Sequence, residues 1–189
     1  ASNDTRKFSD NSKPLAVQFS LNGNEKSLEA YLNDSVTTGL LVIKGGVIRH
    51  EQYRLGADEK SLFTSWSVAK SFVATVIAMA HKDGLIESLD DATEKYAPAY
   101  KGSDYGKVSI RGLLAMSSGI NFNEDYVSNN SDIRPFFFNS FILGENPDSL
   151  LMKFKQDRPE FSDFHYISSN SHVLSAVVRG VYKKPLAQI

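Results

Sequence analysis

The stretch Ser67-Val-Ala-Lys-Ser-Phe-Val-Ala-Thr-Val-Ile-Ala-Met-Ala-His-Lys82 has the clearest periodicity in this 189-residue chain. Its apolar side chains recur at helical spacing, which predicts one α-helix, and Gly84 just beyond it is a typical helix stop. Because the apolar positions cover most of the helical circumference, we expect a central, buried helix. Ser67 and Lys70 stand three residues apart at its start, so both side chains project from one face.

Two β-rich runs precede this helix. They are Gly39–Lys44 and Val47–Tyr53, joined at Gly45-Gly46, a dipeptide that supplies the positive φ angles of a two-residue hairpin turn. We therefore predict two adjacent antiparallel strands. Two or three strands leave an unpaired edge, so a stable sheet would need further strands from missing sequence or from a partner.

Helical patterns dominate the rest of the chain. They cover Leu89–Tyr96, Ser109–Met116, Ser149–Gln156 and Ser169–Val181. Strands followed by helices indicate an α+β fold with a boundary near residue 65. We expect residues 1–65 to supply the N-terminal strands of an incomplete α/β sheet domain, and residues 66–189 to form a mostly helical domain.

Composition narrows the classes of function. The chain is 41% hydrophobic and carries 21 Lys+Arg against 22 Asp+Glu, a net charge of -1, so its overall charge would attract neither nucleic acid nor an anionic membrane. A small-molecule ligand fits better, and no apolar stretch is long enough to predict a membrane span. The polar leader before Pro14 weakly favours a periplasmic or secreted protein, with a cytoplasmic one as the alternative.

Ser67 and Lys70 could act together in covalent catalysis. A lysine accepts a proton only as a neutral amine, a form that apolar surroundings and the positive end of a helix favour. Backbone N–H groups at the helix start lack intrahelical acceptors and could stabilise an oxyanion. The S-x-x-K spacing alone is weak evidence, because about two matches are expected by chance in a chain with this many serines and lysines. A structural serine beside a lysine that extends to solvent is the alternative.

Five segments, taken in chain order, resemble the class C β-lactamase-related branch of the serine β-lactamase and penicillin-binding-protein superfamily, especially nylon-oligomer hydrolases and related esterases. They are Leu40–Glu51, Ser65–Phe72, Ala80–Asp91, Leu113–Gly119 with Asn123–Tyr126, and Phe164–Ser168. The joint match spans most of the chain and is far more specific than any one motif.

The resemblance implies both a fold and a mechanism. The fold would be β-lactamase-like, an antiparallel sheet flanked by helices plus a mostly helical domain. Ser67 would be the acylated nucleophile, Lys70 its base and Tyr166 a second acid/base, while Ser168 would take part in substrate binding through the third position of the tyrosine motif. The chain would then be a serine hydrolase of an amide or ester, without a cofactor. A transpeptidase, or a non-catalytic penicillin-binding-like scaffold protein, remains the alternative.

One part of the resembled pattern is not found in the sequence. The third motif, K-T-G or a variant, and the strand that would carry it have no counterpart before Ile189. We therefore expect the C-terminal strands and closing helix of the fold to be missing from this chain, which would be inactive alone and completed by the rest of the same protein. The four histidines have no metal-site spacing, so no metal is implied, and the neighbouring carboxylates Glu124 and Asp125 are better suited to capping.

Overall fold

A computed structural model of the chain describes residues 7–189. These residues form an α+β structure that divides into two compact units, the first ending at Thr64 and the second running from Ser65 to Ile189. No helix in the described part of the chain is both long enough and apolar enough to cross a membrane.

The first unit contains two small sheets. Its strands are β1 (Ser9–Asp10), β2 (Gln18–Leu21), β3 (Asn24–Ser27), β4 (Gly39–Lys44) and β5 (Val47–Tyr53). Helix α1 (Leu28–Asp34) lies between β3 and β4 in the chain. β2 and β3 form an antiparallel hairpin, and the other three strands form a sheet in the order β1-β5-β4. This sheet is mixed rather than purely antiparallel, because β1 runs parallel to β5.

The predicted hairpin of β4 and β5 is confirmed. The two strands pair antiparallel from Gly39 opposite Tyr53 to Lys44 opposite Val47. Gly45 and Gly46 have φ angles of 62° and 73°, the left-handed values that a two-residue turn of this kind requires at both positions.

The second unit is mostly helical. Its α-helices are α2 (Val68–Lys82), α3 (Asp104–Lys107), α4 (Ile110–Leu114), α5 (Ile133–Phe137), α6 (Pro147–Leu151) and α7 (Ser168–Tyr182). Short 3₁₀ turns lie at Thr93–Lys95, Pro98–Tyr100 and Leu186–Gln188, and a π-helical turn, Phe138–Ile142, continues α5. The predicted helices at Ser67, Ser109 and Ser169 are confirmed within two residues at either end.

The core of this unit lies between α2 and α7, which pack against each other. α7 buries residues on most of its surface, including Val173, Val177 and Val178. α2 is less buried than its sequence predicts: Ile77 is fully covered, whereas the side chain of Phe72 is 67% exposed. The expectation of a central, buried helix is therefore met by only one face of α2, the face that contributes Val73, Ile77 and Ala80 to the core.

Two predicted helices are also wrong in their bounds. Leu89–Tyr96 contains only the 3₁₀ turn Thr93–Lys95, because Ala92 forms a β-bridge with Ser109 instead of continuing a helix. Ser149–Gln156 is replaced by α6, which begins at Pro147. The side chain of Asn146 caps α6 by accepting hydrogen bonds from the backbone N–H groups of Asp148 and Ser149, and proline is well suited to the first position of such a helix.

Candidate active site

Ser67 lies at the junction between a strained backbone and a helix. The preceding residue, Trp66, has a φ of 43°, a left-handed conformation that costs free energy for a bulky side chain. Ser67 then takes the N-cap position of α2, but its side chain makes no capping hydrogen bond. The hydroxyl is exposed and faces other partners.

Lys70 is the first of these partners. It lies one turn along α2, and its Nζ donates to the Oγ of Ser67 over 3.0 Å. The same ammonium nitrogen lies 5.0 Å from the centre of the Tyr166 ring, within the range of a cation–π contact. The i, i+3 spacing seen in the sequence thus places serine and lysine in direct contact.

Tyr166 is the second partner and comes from a distant segment. Its hydroxyl donates to the Oγ of Ser67 over 2.6 Å. The backbone N–H of the neighbouring His165 donates to the carbonyl of Met116 over 2.7 Å, and Ile167 on the other side is fully buried. These contacts fix the backbone around Tyr166 while its ring remains 41% exposed.

The environment of Tyr166 lowers the pKa of its hydroxyl. Partial desolvation opposes ionisation, but hydrogen bonds with Lys70 and Ser67 and the positive charge of Lys70 outweigh it, so the pKa of Tyr166 is lowered from its ordinary value. The negative charge of Glu124 acts in the opposite direction. Tyr166 therefore has both a hydrogen bond to Ser67 and a pKa below the ordinary value of a tyrosine.

Ser168 is held by a residue that sequence analysis did not connect to the site. Its Oγ donates to Oε1 of Glu124 over 2.6 Å, and its backbone N–H donates to Oε2 of the same carboxylate. The sequence placed Glu124 in the Asn123–Tyr126 segment of the family resemblance and described it as a capping residue, without naming what it caps. The partner lies 44 residues away in the chain, and no local pattern could have identified it.

The backbone donors at the start of α2 are mostly occupied. The N–H groups of Val68, Ala69 and Lys70 donate to the carbonyls three residues before them, at 3.0 to 3.1 Å. The expectation that several free N–H groups surround Ser67 was therefore wrong. Among the described residues at the start of α2, the N–H of Ser67 itself has no hydrogen-bond acceptor.

Each of the four histidines makes a hydrogen bond within the protein. His50 and His81 contact backbone carbonyls, His165 accepts from Arg158, and His172 contacts Asp148. Among residues 7–189, no group of three or more His, Asp or Glu side chains is arranged to hold a metal ion.

The chain is similar to known proteins both in sequence and in fold. The profile of the beta-lactamase family matches residues 26–189. A curated relative, the 6-aminohexanoate-dimer hydrolase of Paenarthrobacter ureafaciens, is 31% identical over 160 residues, which cover 82% of this chain and 40% of the relative. The chain thus spans less than half the length of that relative.

Solved structures share the fold at lower identity. A protein of Bacillus anthracis assigned as a 6-aminohexanoate-dimer hydrolase has a TM-score of 0.83 and 22% identity, with 96% of this chain and 50% of that one covered. A class C beta lactamase of Rhodobacter sphaeroides has a TM-score of 0.52 and 20% identity, with 82% and 42% covered. Since the family profile matches most of the sequence, the chain belongs to the beta-lactamase family.

Proposed function

We propose that this protein is a serine hydrolase that cleaves an amide or an ester through an acyl-enzyme intermediate. One observation carries the proposal: the Oγ of Ser67 lies within hydrogen-bonding distance of both the Lys70 amine, at 3.0 Å, and the Tyr166 hydroxyl, at 2.6 Å. A serine hydroxyl is a weak nucleophile by itself and needs a base in contact with it.

The reaction would proceed in two balanced stages. The Oγ of Ser67 attacks the substrate carbonyl carbon while its proton passes to Lys70 in its neutral amine form, and the carbonyl oxygen takes the negative charge of a tetrahedral intermediate. Tyr166 relays a proton to the leaving amine or alcohol as that bond breaks, which leaves the acyl group on Ser67. Water then attacks the ester that links the acyl group to Ser67 and gives up a proton to Lys70 and Tyr166. The same groups return a proton to the Oγ of Ser67 as the carboxylic acid is released.

The N–H of Ser67 is the proposed donor to the oxyanion. Donors that point at the developing charge typically contribute about 10²- to 10³-fold in rate each. The N-cap position of Ser67 supports this role, because the N–H of an N-cap residue has no acceptor within the helix.

The names of the relatives support an amide or ester substrate class. One matched protein is a hydrolase of a 6-aminohexanoate dimer, and another is a beta-lactamase of Psychrobacter immobilis, 28% identical over 104 residues. Carbonyl compounds with nitrogen leaving groups are thus the first substrates to test on this protein.

Covalent labelling tests the proposal. A fluorophosphonate or a fluorescent penicillin should label Ser67 alone, and Ser67→Ala should abolish the adduct. Ser71→Ala is the matched control, since Ser71 lies one turn further along the same helix and should not be required. An adduct mapped to Ser65, Ser71 or Ser117, or full labelling of Ser67→Ala, would overturn the proposed mechanism.

A further inference from the structure

The carboxylate of Glu124 accepts three hydrogen bonds at the start of α7, two residues along the chain from Tyr166. Oε1 accepts from the Oγ of Ser168 over 2.6 Å and from the hydroxyl of Tyr126 over 2.9 Å, and Oε2 accepts from the backbone N–H of Ser168. All three donors are neutral. The negative charge is therefore stabilised by dipoles and not cancelled by a cation in this contact.

Glu124 replaces a capping side chain that α7 lacks. The N-cap residue of this 15-residue helix is Ile167, which has no side-chain hydrogen-bonding group. A carboxylate at the first N–H group satisfies a donor that would otherwise have no partner, and it interacts favourably with the positive end of the helix. The start of α7 thus depends on a loop residue that is distant in sequence.

Tyr166 lies between two backbone anchors. On one side the N–H of His165 is held by the carbonyl of Met116 at 2.7 Å, and on the other the N–H of Ser168 is held by Glu124. Met116 itself has a left-handed φ of 52°. The short segment between the anchors carries the phenol to the Oγ of Ser67, so its placement depends on both.

We propose that Glu124 is a positioning residue: by holding Ser168 at the start of α7 it fixes Tyr166 against Ser67, and its charge opposes that of Lys70 at the phenol. The inference rests on the proposed function of Ser67 and Tyr166. The charged and titratable groups that act on Tyr166 are Lys70 from α2 and Glu124 from the loop, with Tyr126 hydrogen-bonded to the latter.

Two substitutions separate position from charge. Glu124→Gln keeps oxygen and nitrogen atoms near Ser168 and Tyr126 but removes the negative charge that raises the pKa of Tyr166, so that pKa should fall further. Glu124→Ala releases the start of α7, so Tyr166 should lose its contact with Ser67 and Lys70 and its pKa should rise toward the ordinary value. Labelling of Ser67 should slow about 10- to 100-fold in the alanine variant, the scale expected for a displacement of about 1 Å.

The titration of Tyr166 is followed by NMR on protein with ¹³C-labelled tyrosine rings, with Tyr166→Phe to assign the signal. Asp125→Asn is the matched control: it removes a carboxylate one residue away, whose Oδ1 accepts from the N–H groups of Val127 and Ser128 and not from Ser168. It should leave both the pKa and the labelling rate unchanged.

Opposite displacements of the pKa in the Gln and Ala variants support the proposal. An unchanged titration of Tyr166 in both overturns it, as does labelling of Glu124→Ala at the native rate. If Glu124→Ala does not fold, Glu124→Asp takes its place: it keeps the charge but shortens the side chain by one methylene, so labelling of that variant at the native rate overturns the proposal. Failure of the native protein to label at Ser67 would refute the proposed function instead, and the NMR titration would still test the contact.

Discussion

The hydroxyl of Tyr166 donates to the Oγ of Ser67 across 2.6 Å, joining two residues that are 99 positions apart in the chain. Tyr166→Phe removes only this hydroxyl. We expect the labelling of Ser67 to slow by about 10²- to 10³-fold, the range typical of a lost acid or base, with little change in the temperature of unfolding. The labelling rate is measured by intact-mass spectrometry.

The control for this change is Tyr182→Phe, which alters a tyrosine at the far end of α7. It should label at the native rate. If Tyr166→Phe also labels at the native rate, the hydroxyl of Tyr166 has no part in acylation.

Lys70 is tested by two substitutions. Lys70→Ala should slow acylation by about 10²- to 10⁴-fold, because the amine at 3.0 Å from the Oγ is lost. Lys70→Arg keeps a cation but cannot accept a proton, so it should be nearly as slow as the alanine variant. A rate for Lys70→Arg close to that of the native protein would show that only the positive charge matters.

Asp148 gives the stability of the second unit a pH dependence. Burial raises the pKa of its carboxyl, but hydrogen bonds from His172 and Tyr100 and the charge of Arg179 outweigh this and lower the pKa from 3.8 to about 2. The pKa of Asp148 is lower in the folded protein than in the unfolded chain. The carboxylate therefore gives its full stabilisation at pH values above its pKa in the unfolded chain. This contribution should be lost as the pH falls from about 4 through about 2.

Chemical denaturation of Asp148→Asn at several pH values measures that contribution. At pH 7 the variant should be less stable than the native protein by about 1 to 3 kcal/mol, because one partner of a hydrogen-bonded charge pair is lost. The difference should shrink toward zero near pH 2. A difference that is constant from pH 7 to pH 2 would contradict the assigned pKa.

Gly180 marks a close approach between α7 and the chain at Tyr96. A Cβ at this position would lie 1.8 Å from the carbonyl oxygen of Tyr96. Gly180→Ala should therefore destabilise the protein by about 1 to 3 kcal/mol through overpacking. Thermal unfolding checks this against Gly39→Ala, where the new methyl group would meet its nearest neighbour at an ordinary 3.5 Å. Equal effects of the two changes would show that the backbones are not in contact as described.

Local patterns predicted the elements that contain the proposed nucleophile. The hairpin followed from Gly45-Gly46, and α2 and α7 followed from apolar side chains at helical spacing. These elements are determined by neighbours in sequence. The S-x-x-K spacing likewise places Ser67 and Lys70 together through the geometry of one helix, without information from elsewhere in the chain.

The remaining features depend on tertiary contacts that sequence spacing does not encode. Leu89–Tyr96 has helical apolar spacing, yet pairing of Ala92 with Ser109 prevents the helix. The contact of Glu124 with Ser168 links a polar loop to a helix end, and many acidic loop residues have the same local context. The π-helical turn Phe138–Ile142 has no sequence signature that distinguishes it from an ordinary helix.

The close packing at Gly180 also has a consequence at the other end of α7. Between Ser168 and Gly180 the helix is about 18 Å long, so a tilt of roughly 3° about the Gly180 end would move the Ser168 end by about 1 Å. A change in packing between Gly180 and Tyr96 is therefore expected to displace Ser168 and, with it, the neighbouring Tyr166. Gly180→Ala, which adds a methyl group against Tyr96, should therefore slow the acylation of Ser67 even in the molecules that remain folded.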